Sequence, residues 1–246
     1  MRLHLVLKSK DDIVLPIHYN KCLQDMIYYY IDDKKFYYQL KTNGFNYNNK
    51  SLKLFTFSKI MGQYQIDKIN NNIKFTKTIK LIISSPVKYF IESVAKGILK
   101  NHKNILLDNN NLFLSDMEFE VREQFNTTHI IEMMTPLVTY KTKEKKTIFI
   151  SPFDADFEKY INNNIKIKMN ILNNNNEDYN IKITPQFLQS EKFMKIQMFG
   201  DIIIKGWIGR YEISSTPDTI QIAYYSGLGS KNSMGFGMFR IIDTKE

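Results

Sequence analysis

Leu3, Leu5 and Leu7 alternate with Arg2, His4 and Lys8, a period of two that predicts a strand over residues 1–8 with one buried face. Beyond Pro16, Asn20 is placed to cap a helix, and Leu23, Met26, Ile27, Tyr30 and Ile31 recur at helical spacing. A second short helix is expected over Lys34–Leu40, ended by Asn43-Gly44. Dense β-formers then predict strands at Lys53–Ser58, Gln63–Ile69 and Asn72–Ile83, with Asn70, Asn71 and Asn72 as a turn. Pro86 suits the first turn of another helix, where its missing N–H does little harm. That helix should run to Lys100 and bury Val87, Phe90, Ile91, Val94 and Ile98, ahead of strands at Leu112–Leu114, Met117–Phe125 and Ile130–Thr135.

The second half repeats the grammar without repeating the sequence. Leu137–Lys141 and Thr147–Ile150 read as a hairpin, followed by a helix from Ser151 or Asp154 to Asn173 that buries Phe157, Ile161, Ile165, Met169 and Leu172. Strands at Ile181–Leu188, Phe193–Phe199 and Ile202–Ser214, a helix at Pro217–Tyr225 and a last strand at Phe236–Asp243 complete it. Asn109–Asn111 and Asn173–Asn176 make loop tips. The order predicts an α+β protein of two tandem ferredoxin-like β-α-β-β-α-β domains, residues 1–125 and 126–246, the second carrying a glycine-rich loop.

Composition narrows the function. The 246 residues are 43% hydrophobic, enough for a sizeable core, and the net charge of +9 favours a polyanionic partner. Cys22 is the only cysteine, so no disulfide framework or cysteine-based zinc site forms within the chain. His4, His18, His102 and His129 lie far apart without ligand-like spacing, and Asp11-Asp12 and Asp32-Asp33 read as solvated turn or helix-entry pairs. No apolar stretch is long enough to span a bilayer or to form a signal peptide, so no membrane partner and a cytoplasmic location are expected.

Residues 227–237, GLGSKNSMGFG, hold four glycines in eleven residues. Gly227, Gly229, Gly235 and Gly237 permit close backbone approach to a ligand, and Ser230, Lys231, Asn232 and Ser233 offer donors suited to phosphate oxygens. The spacing fits neither a Walker loop nor a dinucleotide fingerprint, and an ordinary mobile loop satisfies the composition equally well. Arg210, Lys205 and Lys195 in the later strands can reach phosphates or simply face water.

This loop before the last strand, the N-terminal MRLHLVL, Leu15-Pro16, Tyr19, Leu23–Tyr28, Gly44-Phe45 and Lys53–Ser58 resemble the CRISPR-associated endoribonucleases that cut repeat RNA into guide RNAs. The resemblance is close over about a quarter of the chain and implies the same two-domain fold. It also implies repeat RNA held on a basic face near the glycine loop, with no cofactor and no metal. Cleavage would leave a 2′,3′-cyclic phosphate and a 5′-hydroxyl. Other CRISPR-associated subunits and a homodimer are further partners that it allows.

The family's active-site tyrosine, histidine and lysine map to Tyr28, Lys41 and Lys53, so a lysine stands where histidine is usual. Such a lysine can stabilise charge, or act as general base if Lys53 and burial depress its pKa. The alternative is a non-catalytic repeat-RNA-binding subunit of a ribonucleoprotein. Tyr29 reads as a rim aromatic of its helix.

Overall fold

The structure, a computed structural model, describes residues 1–174 and 178–242. Asn175 and Asn176 of the expected loop tip, and Asp243 at the end of the last expected strand, lie outside the described residues. Five α-helices are described: α1 (Asn20–Tyr29), α2 (Lys34–Thr42), α3 (Lys88–Lys100), α4 (Phe157–Asn173) and α5 (Pro217–Ser226).

Arg2–Lys8 lies in a five-stranded antiparallel sheet, flanked by Thr78–Ser84 and Asn110–Glu120, with Thr56–Phe57 and Ile105–Leu107 at the edges. The period-two pattern is obeyed: Leu3, Leu5 and Leu7 are at most 1% exposed and join Leu23, Ile27, Phe90 and Val94 in one core. Burying each leucine contributes about 1.5–3 kcal/mol. The second sheet orders Lys182–Pro185, Arg210–Ser214, Thr128–Met133 and Phe239–Ile241, its core filled by Ile161 and Ile165 of α4 and Ile220 and Ala223 of α5. With each unit's four main strands numbered along the chain, both sheets read second-third-first-fourth, with helices in the first and third connections. These are two ferredoxin-like units.

Local details depart from the expectations for identifiable reasons. Asn20 does not cap α1: Tyr19 is the N-cap residue, without a side-chain bond, and Asn20 Nδ2 donates instead to Met234 O at 2.9 Å. Pro86 precedes α3 rather than opening it, because Val87 at the N-cap has an extended backbone. The expected strand at 72–83 divides where the chain leaves one sheet for another: Asn72–Phe75 pairs with Ile13–Pro16 and Tyr64–Asp67, and Thr78–Ser84 joins the main sheet. Conversely, Asn110–Glu120 is continuous, absorbing a register shift opposite Val6 and Leu7. The Lys53–Ser58 strand shrinks to Thr56–Phe57, since buried Leu54 sits at φ +52, where a branched side chain is strained.

The halves are joined by buried polar contacts. Arg2, 2% exposed, donates through Nη2 to Phe239 O at 2.6 Å and to Tyr224 O at 3.1 Å, and its guanidinium lies 3.4 Å from the Tyr224 ring centroid. Beside it, Glu120 pairs with His4 Nε2 at 2.7 Å and accepts from the Tyr224 hydroxyl. His4 first, then Tyr224 and the Arg2 charge, lower the Glu120 pKa from 4.5 to about 2 against an opposing burial cost.

A carboxylate whose folded pKa is depressed stabilises the fold above its unfolded value and loses that contribution as pH falls toward the folded value. The window here is pH 4.5 down to about 2. The contribution is of order 1–2 kcal/mol once solvent screening of a side chain 34% exposed is allowed for. Urea denaturation across that window should show a flatter acid limb for Glu120→Gln than for the wild type. Parallel limbs would show that Glu120 does not carry the linkage.

Candidate functional site

The residues singled out in the first unit converge on the end of α2. Tyr28 of α1 is buried among rings, edge-on to Phe55 (centroids 5.6 Å apart) and to Tyr37 of α2 (6.3 Å). Burial, with a smaller effect of Tyr37, pushes its phenol up to about 12, so it stays protonated at neutral pH. One turn along α2 from Tyr37, Lys41 is exposed and its Nζ donates to the Tyr37 hydroxyl at 2.9 Å. That hydrogen bond raises the Lys41 pKa. Depression by burial and by Lys53, the condition for Lys41 to serve as general base, is therefore not met.

Lys53 behaves differently. Its Nζ donates to Leu40 O at 2.6 Å and to Lys41 O at 3.0 Å, closing the carbonyl end of α2, where a cation complements the helix dipole. Partial burial lowers its pKa. Two of the three ammonium N–H groups are thus spent on α2, leaving one for an anion. The strained residue immediately after it, Leu54, is fixed by Ser85 Oγ donating to its carbonyl at 2.6 Å. The approach to Lys53 is the hairpin Phe45–Tyr47 and Lys50–Leu52, which sequence patterning does not announce because Asn48 and Asn49 at positive φ turn it within very short strands.

Lys53 also lines a cleft of about 610 Å³ between the two units, shared with Lys50, Lys141, Lys168, Lys231 and Tyr140. Ser230, Asn232 and Ser233 of the glycine-rich loop stand on its wall. The loop therefore does come to Lys53. Its glycines, however, are buried against the protein: a Cβ on Gly235 would lie 2.5 Å from the Phe57 ring, and one on Gly237 would lie 2.0 Å from Leu228 O. Gly227 and Gly229 are likewise enclosed, by Asn232 and by Val138.

The loop is anchored from both sides. Gln24 Nε2 donates to Ser233 O at 2.7 Å and Thr56 Oγ1 to Phe236 O at 3.0 Å from the first unit. From α4, Lys168 donates to Gly227 O at 2.6 Å and Asn232 Oδ1 at 2.7 Å, with Gly229 O at 3.4 Å. Burial pushes this lysine, 2% exposed, down to about 7. Asn232 Nδ2 is occupied by Leu228 O and Phe236 O, so its amide is turned into the loop. Lys231, at φ +61, holds its Nζ 5.1 Å from the Tyr140 ring centroid.

Arg210 stands apart from the cleft, on the exposed face of the second sheet, where it and Arg240 pair with Glu132. Two participants are not marked by sequence patterning alone. Tyr37 reads as part of a helix end, although its place four residues before Lys41 is the available signal. Lys168 is one of several lysines on an amphipathic helix, and no local pattern marks it as buried.

Asp33 accepts from Phe36 N at the start of α2, and Asp32 bridges Lys96 and Lys100. Among the described residues, no group of three or more His, Cys, Asp or Glu is placed to hold a metal ion. No helix among them is long and apolar enough to cross a membrane.

Comparisons with known proteins bear on the whole chain. CRISPR-associated endoribonuclease Cas6 1 of Methanocaldococcus jannaschii is 26% identical over 259 aligned residues, covering 100% of this chain and 94% of that one. A solved structure of a CRISPR associated protein Cas6 superposes with a TM-score of 0.76 at 25% identity, covering 99% of each chain. A Cas6-related protein of Pyrococcus furiosus shares the fold at a TM-score of 0.83 and 20% identity, over 100% of this chain and 99% of its own. Residues 117–241, half of the sequence, match the family described as CRISPR associated protein Cas6, C-terminal, and the chain belongs to that family.

Proposed function

We propose that this protein is a metal-independent endoribonuclease that binds CRISPR repeat RNA and cuts it to release guide RNAs, leaving a 2′,3′-cyclic phosphate and a 5′-hydroxyl. The observation that carries the reading is the position of Lys53, which closes α2 and at the same time lines the lysine-rich cleft bordered by the glycine loop. The Methanocaldococcus jannaschii relative, similar over its whole length, is named an endoribonuclease.

The chemistry asks for little beyond what this site offers. Attack by the RNA's own 2′-oxygen builds extra negative charge on the phosphoryl oxygens, and a desolvated ammonium beside them lowers that barrier. Lys53 has the free N–H for this task, with the Lys41 charge one helix end away. Tyr28, edge-on to the Tyr37 ring that Lys41 reaches, keeps a protonated phenol. Lys50, Lys141 and Lys231 give the cleft the positive potential that attracts the backbone, and Ser230 and Ser233 add neutral donors. Through this arrangement, Tyr28, Lys41 and Lys53 form the catalytic set, and the loop holds RNA beside it.

The test is repeat RNA from the source genome's own array, end-labelled and incubated with the protein in excess EDTA. A discrete cut bearing a 2′,3′-cyclic end is the expected result. Tight binding with intact RNA would make the protein a carrier of RNA, and dependence on added divalent metal would overturn the mechanism.

A further inference from the structure

We infer that Tyr37 is the proton donor to the departing 5′-oxygen, with Lys41 holding the phenolate that this transfer leaves behind. The inference rests on the endoribonuclease reading above and adds a catalytic residue to it.

Two phenols stand at the end of α2. Tyr28 is 9% exposed and wedged edge-on between Phe55 and Tyr37. Tyr37 is half-buried, with Lys41 Nζ donating to its oxygen at 2.9 Å and lying 5.3 Å from its ring centroid. An ammonium that donates to a phenol oxygen occupies an acceptor position and leaves the phenol's own proton free to be given away. Once that proton has gone, the oxygen carries a full negative charge against the same ammonium, and the hydrogen bond strengthens as the charge develops. A group that stabilises the product of proton transfer more than its reactant lowers the barrier to transfer.

Two further cations and one carboxylate face this pair. Lys34 places its Nζ 5.9 Å from the Tyr37 ring centroid, and Lys53 is bound to the backbone carbonyl of Lys41. Asp25 on α1 is the carboxylate that acts on Lys41 and opposes the phenolate, and two phenols, Tyr28 and Tyr38, pack against the Tyr37 ring.

The step balances. The 2′-oxygen bonds to phosphorus as its proton passes to water. The bond from phosphorus to the 5′-oxygen breaks, and that oxygen takes the electron pair together with the Tyr37 proton. The phenolate then recovers a proton from water, so the products are the cyclic phosphate and the 5′-hydroxyl.

The experiment compares ordinary repeat RNA with the same RNA carrying sulfur in place of the bridging 5′-oxygen at the cleavage position, because a thiolate leaves without being protonated. Tyr37→Phe should cut ordinary RNA about 10²–10⁴-fold more slowly, the range for loss of a general acid, and cut the thio-substituted RNA within about threefold of wild type. Lys41→Met should follow the same pattern with a smaller defect. Lys53→Ala should be slow on both substrates, since its charge is needed whichever atom leaves.

Equal slowing of Tyr37→Phe on both substrates would mean that Tyr37 only supports the site, and an unimpaired Tyr37→Phe would remove it from the mechanism. A defect rescued by sulfur in Tyr28→Phe but not in Tyr37→Phe would assign the proton to Tyr28. Failure of the wild type to cut either RNA would instead be failure of the endoribonuclease reading, and the assignment would fall with it.

Discussion

Lys53→Ala is expected to slow RNA cutting about 10²–10³-fold while weakening repeat-RNA binding by no more than about tenfold. The asymmetry follows from what the ammonium does. In the ground state it is one cation among the several lysines that line the cleft, and each phosphate contact supplies only a share of the affinity. On the proposed mechanism it faces, in the transition state, charge that exists only there, and partial burial already lowers its pKa. Lys53 also ties down Leu40 O and Lys41 O, so the variant should lose about 1–2 kcal/mol of stability as well. Single-turnover rates and binding constants, taken well below the variant's unfolding temperature, separate the two effects. Lys50→Ala, an exposed neighbour on the same cleft, should cost binding and spare the rate. Equal losses of rate and affinity at Lys53 would mean that it only holds RNA.

Gly235→Val should unseat the glycine-rich loop from the first unit. Gly235 has φ +86, which costs a residue with a side chain about 1–2 kcal/mol. The new Cβ would sit 2.5 Å from Phe57 Cε2 and 2.8 Å from Asn20 Nδ2, adding about 1–3 kcal/mol of overpacking against a fully buried ring. A total near 3–4 kcal/mol corresponds to a fall in Tm of roughly 10 °C for a chain of this size. Gly200→Ala is the control, because Gly200 also has positive φ yet nothing lies within 4 Å of the place its new methyl group would take. It should lose only the conformational part. Thermal unfolding of both variants decides the matter: matching Tm values would show that the seat on Phe57 contributes nothing, and RNA binding should fall with Gly235→Val as the loop leaves the cleft wall.

What the sequence disclosed depends on the range over which each residue acts. Leu3, Leu5 and Leu7 announce a strand because burial on one face of a sheet is written in neighbouring positions. The same holds for α3, α4 and α5, whose apolar stripes are local. Asn20 misled because a helix cap and a donor to a distant carbonyl require the same residue type, and only the fold decides which is used. Leu54 hid the end of a strand, since nothing in KLFTFS signals a leucine at positive φ. Arg2 looked like a solvated face residue and is buried against Phe239.

For the site, the resemblance singled out Lys53 and the loop serines, and what the structure adds is that they line one cleft. The glycines' reason was not legible. Four small residues that let a ligand approach and four that let the chain pack on itself have identical composition. Tyr37 needed a side-chain contact to be seen at all, and Arg210 needed its partner Glu132 to be set aside from the cleft.

The contacts that seat the glycine-rich loop and the strand after it span almost the entire chain: Asn20 meets Met234 across 214 positions and Arg2 meets Phe239 across 237. During synthesis the first unit can collapse around its leucines long before those partners leave the ribosome, but the wall of the cleft beside Lys53 cannot form until they do. Pairings of such separation form late and slowly. A nascent chain would therefore display an ordered α2 and an open Lys53 with no competence to hold RNA, and activity would switch on only when the last strand pairs.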